Sequence, residues 1–382
     1  MIPLSIPKID GNESKYVQDC LATGWISSAG SYVTQFEEMV AEYVGAKYGV
    51  ACMNGTVGLH IAQVLLGVDE DDHVIAPNIT FIATLNSIKY TGAHPILIDV
   101  DADNWQMDLD LLEKYLRENT ETKTVDNQTF SFDKTTGKRV RAIMPVHVLG
   151  NIGNMRRMVA IAEKYHLEIV EDAAEALGST YDKQHAGTFG KIGVFSFNGN
   201  KIISTGGGGV IVTDDEAIAK RAKHLTTQAK VSPMDYIHDE IGYNYRLVNV
   251  LAAIGVAQME TFPENLKKKK QMDAFYRKQL AGVGDIKFQE IPEDTDPNCW
   301  LFTFQTSRMR ELLDYLNNNG VQSRPFWMPM NQLDMFKDDI YIQDNDISAS
   351  VYKNSLSIPS SAGITQEQLE EVVRVIKEFY SK

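Results

Sequence analysis

The sequence predicts an α/β fold: a mostly parallel sheet sandwiched by helices, with a smaller α/β domain behind it. Two patterns carry this reading. Short apolar runs recur at 73–77, 95–99, 142–146, 168–172, 192–197 and 209–213. Most are apolar almost without interruption, as strands covered on both faces are. Helical patterns separate them, at 34–44, 56–66, 108–116, 155–165 and 216–225. Regular alternation of strand and helix is the mark of a layered parallel sheet.

The elements follow in chain order. In 34–44 the apolar residues Phe36, Met39, Val40, Tyr43 and Val44 fall at helical spacing. The strand-like run 48–52 leads into a helix starting near Thr56. The polar segment 119–138 breaks the alternation, and its turn-like Lys134-Thr135-Thr136-Gly137 predicts a hairpin excursion. A long helix begins after Leu247 and runs past Pro263; its lysine run, 267–270, reads as a solvated face. The remainder predicts a strand at 299–305 and helices at 309–318 and 366–380. The chain therefore divides into an N-terminal segment (1–30), a large α/β domain (31–250), and a connecting helix with a small domain (251–382).

Composition narrows the function classes. The 382 residues are 43% hydrophobic, ample for a full core. The net charge of −14 argues against nucleic-acid binding, while leaving room for an anionic ligand held by local donors. Cys20, Cys52 and Cys299 form no pair spacing and no metal motif, so no metal is expected. With no signal-like start and no long apolar run, the expectation is a cytosolic protein without a membrane span.

Four stretches carry chemistry. Met53-Asn54-Gly55-Thr56 joins a strand to a helix, where free amides bind phosphate and glycine lets a ligand approach; it also reads as an ordinary turn. Phe81 follows a strand and would suit stacking on a flat ring, or a place in the core. Asp172 ends a buried strand before the small residues Ala173 and Ala174. A carboxylate there needs a partner, which a pyridinium or a capping role would supply. Lys201 closes Phe195-Ser196-Phe197-Asn198-Gly199-Asn200-Lys201, ahead of the glycines 206–209. A partly desolvated lysine is a nucleophile and proton shuttle, and Ser196 offers a hydroxyl to a phosphate. The glycine run follows the lysine and lacks a P-loop pattern, so it reads as tight turning into the strand 209–213. Lysine and acid together point to pyridoxal 5′-phosphate (PLP), with Lys201 forming the Schiff base and Asp172 facing the ring nitrogen.

The chain resembles the DegT-type nucleotide-sugar aminotransferases, PLP enzymes of fold type I. The resemblance runs from Trp25-Ile26-Ser27-Ser28-Ala29-Gly30 to Ser323-Arg324-Pro325-Phe326-Trp327. It is most specific in Glu171-Asp172-Ala173-Ala174-Glu175-Ala176-Leu177-Gly178, in Ser196-Phe197 with Lys201, and in Gly242-Tyr243-Asn244-Tyr245-Arg246. It is similar above all to the aminotransferases of bacillosamine and legionaminic acid biosynthesis.

The resemblance implies a seven-stranded-type sheet and a homodimer with shared active sites. It implies transfer of an amino group from L-glutamate to the 4-keto position of a nucleotide-linked 4-keto-6-deoxy sugar, with a UDP-linked 2-acetamido sugar favoured, in surface-glycan biosynthesis. By residue, it implies that Lys201 binds the cofactor covalently and moves protons, and that Asp172 pairs with the ring nitrogen. Phe81 and Ala174 would lie against the two ring faces and Glu175 near the phenolic oxygen. Gly55, Thr56 and Ser196 would hold the phosphate, and Asn244 would reach the phosphate in the neighbouring subunit. Trp25, from the N-terminal segment, would line the sugar-nucleotide cleft with His147 and Arg324. Many relatives carry Gln or His at Glu175 and Glu at Gly207. A dehydratase branch has His in place of the lysine, so Lys201 points to transamination. A fold type I enzyme acting on a small amino acid or amine is the alternative, as is a non-catalytic PLP-binding regulator.

Overall fold

The structure is a computed structural model describing residues 1–232 and 234–382. A ten-stranded sheet forms the centre of the described residues. Its main path runs Tyr48–Cys52, Gly209–Thr213, Ile192–Ser196, Glu168–Asp172, Arg139–Ile143, Asp72–Pro77, His94–Ile98, Ile340–Ile342. Pairing is parallel from Ile192–Ser196 to the Ile340–Ile342 edge, and Gly209–Thr213 runs antiparallel to both its neighbours. The central strands are valine-, isoleucine- and alanine-rich because helices cover both faces.

Three strands extend the expected seven. The hairpin Thr120–Val125 with Gln128–Asp133 forms where the polar excursion was predicted and pairs onto Arg139–Ile143. Ile340–Ile342, from the C-terminal part of the chain, joins the large sheet beside His94–Ile98. Exchange runs the other way too, since Ile2 bridges to Val321.

The long helix spans Asn249–Leu280 with Pro263 inside it. Its lysine run is not uniformly solvated: Lys267 and Lys268 are exposed, but Lys269 is buried at 2% exposure. The reason is phase, because Phe262, Asn265, Lys269, Met272, Tyr276 and Leu280 all lie on the inward stripe. The strand expected at 299–305 pairs only over Thr303–Gln305. Upstream, the Asn298 side chain takes the Trp300 N–H at 3.0 Å, and Cys299 adopts a positive φ of 56°, which turns the chain out of the sheet.

The glycine run bends tightly against the start of the helix Gly55–Leu65. A Cβ on Gly209 would stand 2.6 Å from the Asn54 carbonyl oxygen, whereas one on Gly207 would meet nothing closer than the Met53 oxygen at 3.7 Å. Gly209→Ala is expected to cost about 1–3 kcal/mol of stability. Gly207→Glu, the residue many relatives carry, is expected to stay within about 0.5 kcal/mol of the parent. Urea denaturation of the two variants checks the contrast.

Candidate active site

The parallel strands end on one side of the sheet, and the loops beyond them surround a cavity of about 620 Å³. Ligands of open α/β sheets bind at this carboxyl edge. At its floor the helix Gly55–Leu65 begins. Asn54 caps it, its side-chain oxygen taking the Val57 N–H at 3.0 Å, and leaves the first amides near the cavity. Only glycine fits at position 55, where a Cβ would lie 2.9 Å from the Ser196 Cβ. That contact brings the helix start and Ser196 to one wall, and Thr56 lines the same cavity. Two hydroxyls and a helix N-terminus make a phosphate cradle.

Asp172 stands opposite at the end of its strand, 5% exposed. The Thr84 hydroxyl donates to its Oδ2 at 2.7 Å and the Ala174 N–H to its Oδ1 at 3.1 Å. No ion pair reaches it among the described residues, and burial pushes its carboxyl above the usual range. This buried carboxylate facing a cavity suits a cationic ring nitrogen. Phe81 and Ala174 line the cavity too, and Phe81 keeps 55% of its surface open.

Lys201 closes the site. Its Nζ lies 3.4 Å from Glu175 Oε1 and 4.1 Å from the centre of the Trp300 ring. The Leu149 N–H donates to Glu175 Oε2 at 2.9 Å, holding the carboxylate towards the lysine. Burial outweighs the Lys201 attraction and raises the Glu175 carboxyl to about 7. Its protonation is therefore favoured in the folded chain, and stability is lost as pH rises from the ordinary value near 4.5 through about 7. Glu175→Gln is expected to stabilise the cofactor-free protein by about 1–3 kcal/mol at pH 8 and not at all near pH 4. Thermal melts at the two pH values measure the difference.

The expected site residues fall into two sets. Gly55, Thr56, Phe81, Asp172, Ala174, Glu175, Ser196, Lys201 and Arg324 meet around the one cavity. Trp25, His147 and Asn244 do not line it. His147 is 1% exposed beneath the site, with Nε2 2.8 Å from Glu171 Oε2. Glu171 also takes N–H groups from Gly187, Phe189 and Gly190, so this pair fastens the loop that leads into the strand Ile192–Ser196. Trp25 lies on the surface, and so does Asn244, opposite Thr227 in a backbone bridge.

Sequence reasoning passed over Thr84, Trp300 and Trp327. The two tryptophans line the cavity, and Thr84 stands behind Asp172. Trp300 and Trp327 stack with centroids 6.4 Å apart, and Trp327 meets Phe81 edge-on at 6.5 Å. The run Asn298-Cys299-Trp300 followed by a short strand was the only available signal for Trp300.

A mostly parallel α/β sheet whose carboxyl edge presents a cavity-facing lysine, a buried carboxylate and a helix-start phosphate cradle defines a fold type I PLP enzyme. Comparison with known proteins narrows the class. Residues 7–377 match the DegT/DnrJ/EryC1/StrS aminotransferase family, and the chain belongs to it. It is 36% identical to GDP-perosamine synthase of Escherichia coli O157:H7, over 100% of this chain and 99% of that one. It is 30% identical to UDP-4-amino-4-deoxy-L-arabinose–oxoglutarate aminotransferase of Shewanella sediminis, over 78% of this chain and 74% of that one. The crystal structure of S. venezuelae DesV in complex with a ketimine intermediate superposes with a TM-score of 0.86 at 26% identity, covering 97% of this chain and 95% of that one. The chain is thus a sugar aminotransferase dependent on PLP.

Proposed function

We propose that this protein moves the amino group of L-glutamate to the 4-keto carbon of a nucleotide-linked 4-keto-6-deoxy sugar, as a homodimer. The observation that carries the reading is the placement of Lys201, Asp172 and the Gly55–Thr56–Ser196 cradle around one cavity.

Each residue then has a task. The amides at Gly55 and Thr56, with the hydroxyls of Thr56 and Ser196, bind the cofactor's phosphate. Asp172, oriented by Thr84 and the Ala174 N–H, faces the ring nitrogen and keeps it protonated. Phe81 and Ala174, which line the cavity, would lie against the two faces of the ring. Bound PLP supplies an electron sink and carries the amino group between the two substrates. Lys201 Nζ takes the proton from the glutamate α-carbon and, with the sugar, delivers one to carbon 4. Glu175, tied to the Leu149 N–H, aims that amine and approaches the cofactor's phenolic oxygen.

Arg324 and Trp327 line the outer part of the cavity, where a guanidinium suits a diphosphate. Trp25, His147 and Asn244 take their parts less directly. Trp25 and Asn244 lie on the surface, where a second copy could bring Asn244 to the neighbouring cofactor's phosphate and Trp25 to the cleft rim. His147 would act on the cleft through Glu171 and the loop it fastens.

The relative at 36% identity favours a GDP-linked acceptor, while the bacillosamine-type motifs favour a UDP-linked 2-acetamido sugar. The test is a screen of GDP- and UDP-linked 4-keto-6-deoxy sugars with glutamate, read by mass spectrometry. A 4-amino sugar nucleotide is expected from one arm. Transfer only to a small keto acid would reject the sugar reading.

A further inference from the structure

Lys269 and Trp300 form a device that the aminotransferase reading leaves unused. Lys269 is 2% exposed on the long helix and has no carboxylate in ion-pair range among the described residues. Its Nζ donates to the Trp300 carbonyl at 2.5 Å and to the Ser360 carbonyl. Burial drives the amine down to about 7. An ammonium group is costly to bury, and a methionine of similar length would fill the same space without that cost. The lysine's two hydrogen bonds instead bolt the Trp300 turn to the segment carrying Ser360.

The bolted turn carries the indole that covers the catalytic amine. Trp300 is 2% exposed, and its Nε1 donates to the Asn200 carbonyl at 2.7 Å, next to Lys201 in the chain. Asn298 fixes the turn from the other side. Its Nδ2 donates to the carbonyls of Glu175 at 2.7 Å and Leu177 at 2.8 Å. These bonds hold the ring towards Lys201 Nζ, which sits 4.1 Å from its centre. An aromatic face attracts an ammonium at this range.

We propose that the Trp300 ring is the resting face for the Lys201 ammonium whenever that amine is free of the cofactor, and that Lys269 is the positioning residue that holds the ring there. Such an amine is displaced when glutamate binds, becomes an ammonium on taking the α-proton, and stays free of the cofactor until the second half-reaction ends. A face that holds it within reach shortens its return and keeps it from solvent. The other charged groups lining the cavity with this amine are Glu175, at 3.4 Å, Asp172 and Arg324. None of these is altered by the substitutions below. The inference rests on Lys201 as the cofactor-bearing residue, and borohydride fixation of the cofactor tests that separately.

The experiment measures labelling of Lys201 by an acylating reagent, resolved by peptide mass spectrometry, in the full-length protein freed of cofactor. Trp300→Leu is expected to raise the labelling rate about three- to tenfold at pH 7. At pH 11, where lysine amines are mostly neutral, the gain is expected to disappear. Trp300→Phe keeps a weaker ring and is expected to fall between. Lys269→Met is expected to reproduce part of the Trp300→Leu gain and to add nothing to it in the double variant. Lys269→Gln, which retains donors, replaces Lys269→Met if that variant does not fold. No gain in Trp300→Leu at pH 7 would overturn the proposal, as would an equal gain at both pH values, which is simple unblocking. A gain in Trp300→Leu with none in either Lys269 variant would overturn the positioning role.

Discussion

Lys201→Ala is expected to abolish amine transfer, with a fall of at least about 10⁴-fold, and to leave the fold intact. The size follows from what one side chain supplies. Lys201 is the only lysine lining the cavity among the described residues, so the variant loses both the covalent attachment and the proton shuttle. The small structural cost follows from its surroundings. Among the described residues, the partners of Nζ are the Glu175 carboxylate, at 3.4 Å, and the Trp300 ring. Removing the amine leaves Glu175 without its cation, and its raised carboxyl answers by taking a proton, since the Leu149 N–H still holds it. Two measurements check this: borohydride reduction, which should fix cofactor to the parent and not to the variant, and thermal denaturation, which should differ little. Retained turnover in Lys201→Ala would reject the whole assignment.

How much of this was legible in the sequence depends on the distance between partners. Asp172 and Ser196 each end a strand and Gly55 opens the helix just after one, and strand ends can be read from local apolar runs. Parallel topology then brings all such ends to one edge, so a correct list of strands placed most of the site. Trp300 is another matter. It reaches Lys201 because Asn298 and Lys269 bend the segment around 298–300 across the cavity, and no local pattern encodes that crossing. Thr84 was missed for a similar reason, since its hydroxyl meets Asp172 across 88 positions of chain. Lys269 was legible and still misread. A run of four lysines looks solvated, but position 269 falls in step with Phe262, Asn265, Met272, Tyr276 and Leu280. Helical phase outweighed composition there. The Ile340–Ile342 edge strand is short and only half-buried, and nothing in three residues announces a return to the large sheet.

Asp172→Asn is expected to lower amine transfer by about 10²–10³-fold while making the cofactor-free protein more stable at neutral pH. The opposite signs have one cause. In the cofactor-free chain the Asp172 carboxylate is buried and, among the described residues, accepts only the Thr84 hydroxyl and the Ala174 N–H. Burial raises its carboxyl above the ordinary range. An acid with a raised folded value binds its proton more tightly folded than unfolded, so its cost to stability grows as pH climbs above the ordinary value. An asparagine carries no such cost. Its oxygen still takes the Ala174 N–H, and the Thr84 hydroxyl can turn to accept from its amide. The stabilisation should therefore appear at pH 8 and vanish in acid. With the cofactor bound the balance reverses, because the aspartate gains a pyridinium and the asparagine gains nothing. Removing one preorganised charge from the reacting centre accounts for the expected loss of rate. Melting each protein with and without PLP at pH 8 and pH 4 measures both effects. The parent should gain more from the cofactor than the variant, and an equal gain would mean that Asp172 does not face the ring nitrogen.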